Sequence, residues 1–175
     1  MRYGIVVLLA LAGAVPGAAQ RTRVVVVVPG QLTQVLSDTM GTPYAVPFPA
    51  AEAFKALRAV YAELKLPTEV TDSSAGQVGT QMFYRQGSVG GRQISSYLSC
   101  GDSMTGPNAD YYRVYMNIWS TLTPKGPGAV VLRTAYLAGA VNVTEGSRQP
   151  MPCESTGRLE VRIHQMLLKK LTFRE

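Results

Sequence analysis

Two cysteines, Cys100 and Cys153, follow an N-terminal segment laid out like an export signal, and this pair constrains the fold more than any other feature. Outside the cytoplasm two thiols are expected to join. The bond would tie the turn Ser99-Cys100-Gly101-Asp102 to Cys153-Glu154-Ser155-Thr156-Gly157, read as the start of a last helix. Any fold must then bring the middle of the chain against its C-terminal end. A redox role is not expected, because redox pairs sit close in sequence as Cys-x-x-Cys. Nor is a metal site, because two distant thiols and one histidine supply too few ligands in no recognisable spacing. The residues call for no cofactor.

The export reading rests on three features. Met1-Arg2 is a short positive start, Ile5 to Val15 is an apolar run, and Gly17-Ala18-Ala19 offers small residues before a cut at Gln20. The run is too short to span a bilayer, and no later stretch is long and apolar enough. The expected organisation is a signal peptide over 1–19, an N-terminal strand or arm over 20–42, and a single α+β domain over 43–175. The expected location is periplasmic or extracellular. With 46% hydrophobic and 16% charged residues the chain can build a core. Its 17 Lys+Arg against 11 Asp+Glu are mostly Arg and are scattered rather than gathered in blocks, so no basic block points to nucleic acid. The excess leaves room for an anionic partner.

Periodicity supplies the elements. Arg23 to Val28, with five valines in a row, reads as a strand, and Pro29-Gly30 as a turn leading to a second strand over Thr33 to Ser37. Tyr44 to Phe48 is extended. Pro49 opens a helix over Ala50 to Lys65, with Phe54, Leu57, Tyr61 and Leu64 on one face, and Pro67 stops it. A hairpin follows: Thr68 to Thr71, a turn, then one unbroken strand over Gln77 to Arg85. Alternation there puts Val78, Thr80, Met82 and Tyr84 on one face and Gln77, Gln81, Phe83 and Arg85 on the other. Gln93 to Cys100 is a further strand and Asp102 to Asp110 a loop. Tyr112 to Leu122 and Ala129 to Ala138 are the strongest strands and should pair antiparallel. Gly139 to Pro152 reads as loop, and Ser155 or Thr156 caps a helix running to about Leu171. The expected fold is therefore α+β: one antiparallel sheet with two helices packed on one face, in the order strand, helix, strands, helix.

Part of this pattern resembles known proteins. Tyr44-Ala45-Val46-Pro47-Phe48, the helix with its Pro67 stop, and Thr68-Glu69-Val70-Thr71-Asp72 before Gly76-Gln77-Val78-Gly79 resemble domains of the accessory lipoprotein of the outer-membrane barrel-assembly machine. This chain differs in having no cysteine after the signal to carry a lipid. Tyr97-Leu98-Ser99-Cys100-Gly101 and Cys153-Glu154-Ser155-Thr156-Gly157-Arg158-Leu159-Glu160 resemble an uncharacterised family of secreted bacterial α+β proteins, over most of the chain after the signal. These resemblances imply an envelope setting. They transfer no catalytic residue.

The candidate chemistry is sparse. His164 is the single histidine, beside Ile163 on the helix shoulder, and no nucleophile signature accompanies it. Asp102, Asp110, Glu154 and Glu160 read as turn and helix-start carboxylates rather than a catalytic pair. The informative constellation is a sheet face. If the helices cover Val114, Met116, Ile118, Val130, Leu132 and Tyr136, the opposite face displays Phe83, Arg85, Arg113, Tyr115, Asn117, Trp119 and Arg133, unless Arg23 to Val28 or the long loop covers it. Rings, amides and guanidinium groups on one face suit an envelope protein, a glycan or another anionic surface. The expected function is a non-enzymatic, exported binding or structural domain. The competing expectation is a carrier of a small hydrophobic ligand held between the sheet and the C-terminal helix.

Overall fold

A computed structural model describes residues 23–28, 31–36, 41–144 and 150–173, so the expected export signal lies outside the described residues. The chain is mixed α/β around a main antiparallel sheet. Strands β1 (Arg23–Val28) and β2 (Gln31–Leu36) pair only with each other. Then come β3 (Tyr44–Val46), helix α1 (Ala50–Glu63), β4 (Val70–Asp72), β5 (Gln77–Gly79), β6 (Phe83–Arg85) and the two-residue strands β7 (Ser88–Val89) and β8 (Arg92–Gln93). A 3-10 turn over Ile94–Ser96 leads to β9 (Leu98–Ser99). A tight hairpin of β10 (Asp102–Ser103) and β11 (Gly106–Pro107) precedes a short helix α2 (Asn108–Tyr111). The chain ends in β12 (Arg113–Pro124), β13 (Val130–Val141), β14 (Met151–Ser155) and helix α3 (Arg158–Thr172).

The main sheet runs β4-β5-β12-β13-β14-β9, with β6 also on β12 and β3 also on β13. The long β12–β13 pair is its axis, in register from Arg113 opposite Val141 to Pro124 opposite Val130. Residues directly opposite share a face. Val114, Met116, Ile118 and Leu122 therefore join Ala140, Ala138, Tyr136 and Leu132 on one side. With Leu57, Val60 and Tyr61 of α1 and Leu159, Ile163 and Leu167 of α3 they form one buried cluster. Inside it Tyr61 Oη lies 3.0 Å from Ser120 Oγ, which lies 2.7 Å from Thr134 Oγ1. Three buried hydroxyls so satisfy one another, and burial pushes the Tyr61 phenol far above its ordinary range.

Several expectations need correction: the strand expected over Gln77 to Arg85 is split into β5 and β6, and the loop expected over Asp102 to Asp110 holds β10, β11 and most of α2. The loop expected over Gly139 to Pro152 is shorter: β13 continues to Val141, and Met151–Ser155 is a strand. Cys153 therefore sits in β14 and not at a helix start; the helix begins at Arg158, behind Gly157 at φ +75°. Neither Ser155 nor Thr156 occupies the cap: Ser155 Oγ donates to Glu160 Oε1 at 2.6 Å, and Thr156 Oγ1 donates to the Tyr97 carbonyl at 3.1 Å. The strand expected over Gln93 to Cys100 is interrupted by the 3-10 turn, whose buried Ile94 anchors it to the core.

Candidate functional site

The disulfide is present between Cys100 and Cys153, with Cα atoms 4.3 Å apart. Glu154 pairs with Ser99 in the β14–β9 ladder, so the same register sets Cys153 opposite Cys100. The bond is thus a cross-strand staple at the edge where β9 meets β14. Asn108 Nδ2 donates to the Cys100 carbonyl at 3.3 Å, fastening α2 to the same corner. His164 stacks on Tyr44 with ring centroids 4.7 Å apart, and its Nε2 lies 3.2 Å from the Ala45 carbonyl. Both thiols and the single imidazole are therefore engaged in holding elements together. Asp110 likewise accepts from the Ser95 amide at 2.8 Å.

The second face of the sheet is more informative. Register places Arg113, Tyr115, Asn117, Trp119 and Thr121 of β12 there, with Arg133 opposite Thr121. Phe83 and Arg85, expected beside them, are on the other side. The cause is a bulge between β5 and β6. Gly79 opposes Trp119, yet Phe83 opposes Met116, so the outer strand carries one residue more than its partner. Thr80 makes the slip possible. Its amide donates to the Ile118 carbonyl at 2.8 Å, and the Ile118 amide donates to Thr80 Oγ1 at 2.9 Å, so a hydroxyl stands where a backbone carbonyl would be. One extra residue inverts the alternation beyond it. Phe83 turns to the main core, and Arg85 lies over the Phe83 ring at 5.0 Å while donating to the Tyr84 carbonyl at 3.0 Å.

The same inversion brings Tyr84 onto the face with Tyr115, its direct partner. Their ring centroids are 5.9 Å apart, and the Arg113 guanidinium lies 4.9 Å from the Tyr84 centroid. Tyr84 is 54% exposed, while Arg113 and Tyr115 are half-buried. Tyr111 stands exposed nearby in sequence, and Gln86 Nε2 donates to its carbonyl at 3.0 Å. This cation–π contact holds the guanidinium beside the ring, and its N–H groups can still donate to a ligand. The unit can therefore offer charged and phenolic hydrogen-bond donors beside an apolar ring surface. Alternation alone misplaced Tyr84 together with Phe83 and Arg85.

The remaining expected residues do not join this patch. Asn117 and Trp119 are only 8% and 4% exposed, and β1 runs against β12 and β13 without pairing with either. Asn117 Oδ1 has no hydrogen-bond partner among the described residues. Gly79 opposes Trp119 so closely that a Cβ there would lie 2.6 Å from the Trp119 Cβ. Arg133 donates to the Gly41 carbonyl at 2.8 Å, where the chain passes over β13 so tightly that only glycine fits. Thr121, its partner, is eight residues along β12 from Arg113, about 27 Å at strand rise. The two arginines therefore serve different ends of the face.

Among the described residues no helix is long and apolar enough to cross a membrane. No family model, no curated protein and no solved structure matches the chain.

Proposed function

We propose that this protein is an exported, non-enzymatic binding or structural domain whose Tyr84–Arg113–Tyr115 patch engages an anionic envelope surface. In this reading α1 and α3 cover one face of the sheet and leave this end of the opposite face for the partner. The observation that carries it is the exposed Tyr84 ring with the Arg113 guanidinium over it and Tyr115 beside it. Rigid aromatic side chains with an adjoining arginine are the residue types that dominate binding hot spots. The disulfide supports export, because such bonds persist in oxidising compartments. The engagement of both thiols and of His164 supports a non-enzymatic role, since these were the strongest nucleophile and base the sequence offered.

The reading as a carrier between the sheet and the C-terminal helix has less support. That space is occupied by Leu57, Tyr61, Met116, Ile118, Leu132 and Ile163, each 0% exposed. Co-sedimentation with the insoluble envelope fraction of the host tests the proposal. Wild-type protein should be retained and released by salt, because screening weakens exposed charge contacts. The Tyr84→Ala/Arg113→Ala variant should lose about tenfold or more in retention, with an unchanged circular dichroism spectrum. Equal retention of the two proteins would count against the proposal.

A further inference from the structure

The molecule carries a recess whose lining shares no residue with the sheet patch. A trough of about 790 Å³ follows the outer seam between α1 and α3. Ala56 and Ala59 keep its α1 side low, and Met166, Leu171 and Phe173 build the α3 side. Phe173, just past the end of α3, is 70% exposed. From Glu52 to Glu63 the lining spans eleven residues of α1, about 16 Å at helical rise. The trough is thus long, with Ala56, Ala59, Met166, Leu171 and Phe173 as the apolar half of its lining.

Its rim is charged, and the charges are unevenly committed. Lys170 Nζ lies 2.7 Å from Glu63 Oε2. That hydrogen bond is the largest of the influences holding Glu63 below the usual carboxylate range, followed by the fields of Lys170, Lys169 and Arg162. Glu52, the other acid on the rim, has an interaction of its own. Lys55 and Lys169 are exposed and have no ion-pair partner at 4.0 Å or less among the described residues. Two ammonium groups outside any ion pair among the described residues therefore stand beside the apolar part of the lining.

We infer that this seam binds a single-chain amphipathic anion, a long-chain fatty carboxylate, with its acyl chain along Ala56, Ala59 and Met166 and its carboxylate between Lys55 and Lys169. A trough of this length suits one acyl chain, and the two lysines outside ion pairs suit its head group. This site is independent of the sheet patch, so either proposal can fail while the other stands.

Displacement of 11-(dansylamino)undecanoic acid from the full mature chain tests it, with decanoate and tetradecanoate as competitors below their micellar concentrations. Full burial of a methylene changes affinity about fourfold, so half-burial in an open trough should give about twofold for each. Tetradecanoate should therefore compete about tenfold or more better than decanoate. Lys55→Ala/Lys169→Ala should weaken tetradecanoate about tenfold. Ala59→Trp, which fills the floor from an exposed position, should abolish probe binding with an unchanged circular dichroism spectrum. The inference is overturned by absence of probe binding, by equal competition from both chain lengths, or by full binding in Ala59→Trp. It is equally overturned if the trough proves to be a self-association surface, seen as a dimer that Ala59→Trp dissolves and that excludes the probe.

Discussion

Replacing both Cys100 and Cys153 by serine should lower the melting midpoint by about 8–16 °C. The bond closes a loop of about 50 residues, which the chain-entropy treatment values at about 4 kcal/mol. A chain of this size loses about 2–4 °C per kcal/mol. The position of the bond argues for the full effect. β9 holds the sheet by only two residue pairs to β14, and β14 holds β13 by three. Such short ladders supply little of their own, so the staple sets how firmly this edge stays closed. The edge also carries the start of α3, because the Thr156 amide donates to the Tyr97 carbonyl at 2.9 Å. Exchanging both cysteines avoids leaving one thiol free to cross-link. Calorimetry of the double variant beside the oxidised wild type gives the answer, and an unchanged midpoint would mean that the bond contributes nothing to this edge.

Thr80→Val should cost about 1–3 kcal/mol, although it removes a hydroxyl and keeps the shape. The Ile118 amide donates to Thr80 Oγ1 in a buried setting, with Thr80 3% exposed. Valine leaves that N–H without an acceptor, and an orphaned buried donor costs more than an ordinary hydrogen bond contributes. At about 2–4 °C per kcal/mol the midpoint should fall by several degrees. Thr80→Ser, which keeps the acceptor, should recover most of the loss. Amide exchange gives a second readout: the Ile118 amide should exchange much faster in the valine variant and stay protected in the serine variant. Equal stability of all three proteins would show that the bulge does not depend on this hydroxyl.

Much of the fold was legible in the residues, and the failures have definite causes. α1 was readable because Phe54, Leu57, Tyr61 and Leu64 repeat at helical spacing between two prolines. β12 and β13 were readable because their alternation is unbroken and a turn rich in proline and glycine separates them. The cysteine pairing followed from the small number of thiols. β14 was hidden because Pro152 argues against a ladder position, yet it stands opposite Gly139 in a pairing only three residues long. The α3 boundary was misplaced because Ser155 and Thr156 have the chemistry of caps but bond to Glu160 and to the 3-10 turn.

The candidate site was legible only in part, for a related reason. Arg113, Tyr115, Asn117, Trp119 and Arg133 share a face because two long strands alternate without interruption. Phe83 and Arg85 were assigned there by carrying the alternation of Gln77 through to Arg85. A side-chain hydroxyl replacing a backbone acceptor leaves no mark in a hydrophobic pattern, so the slip at Thr80 was invisible. Its effect is large, since it exchanges Phe83 and Arg85 for Tyr84 on the proposed binding face. Burial could not be read either. Nothing in the alternation of β12 and β6 says that Trp119 is covered and Tyr84 is not.

The most direct measurement compares Tyr84→Ala with its neighbour Arg85→Ala in retention by the envelope fraction. The bulged register puts Tyr84 in the patch with Arg113 and Tyr115 and puts Arg85 on the opposite side, over Phe83. Tyr84→Ala should therefore reduce retention several-fold while Arg85→Ala leaves it near the wild-type level. The reverse result, with Arg85 required and Tyr84 dispensable, would contradict the account.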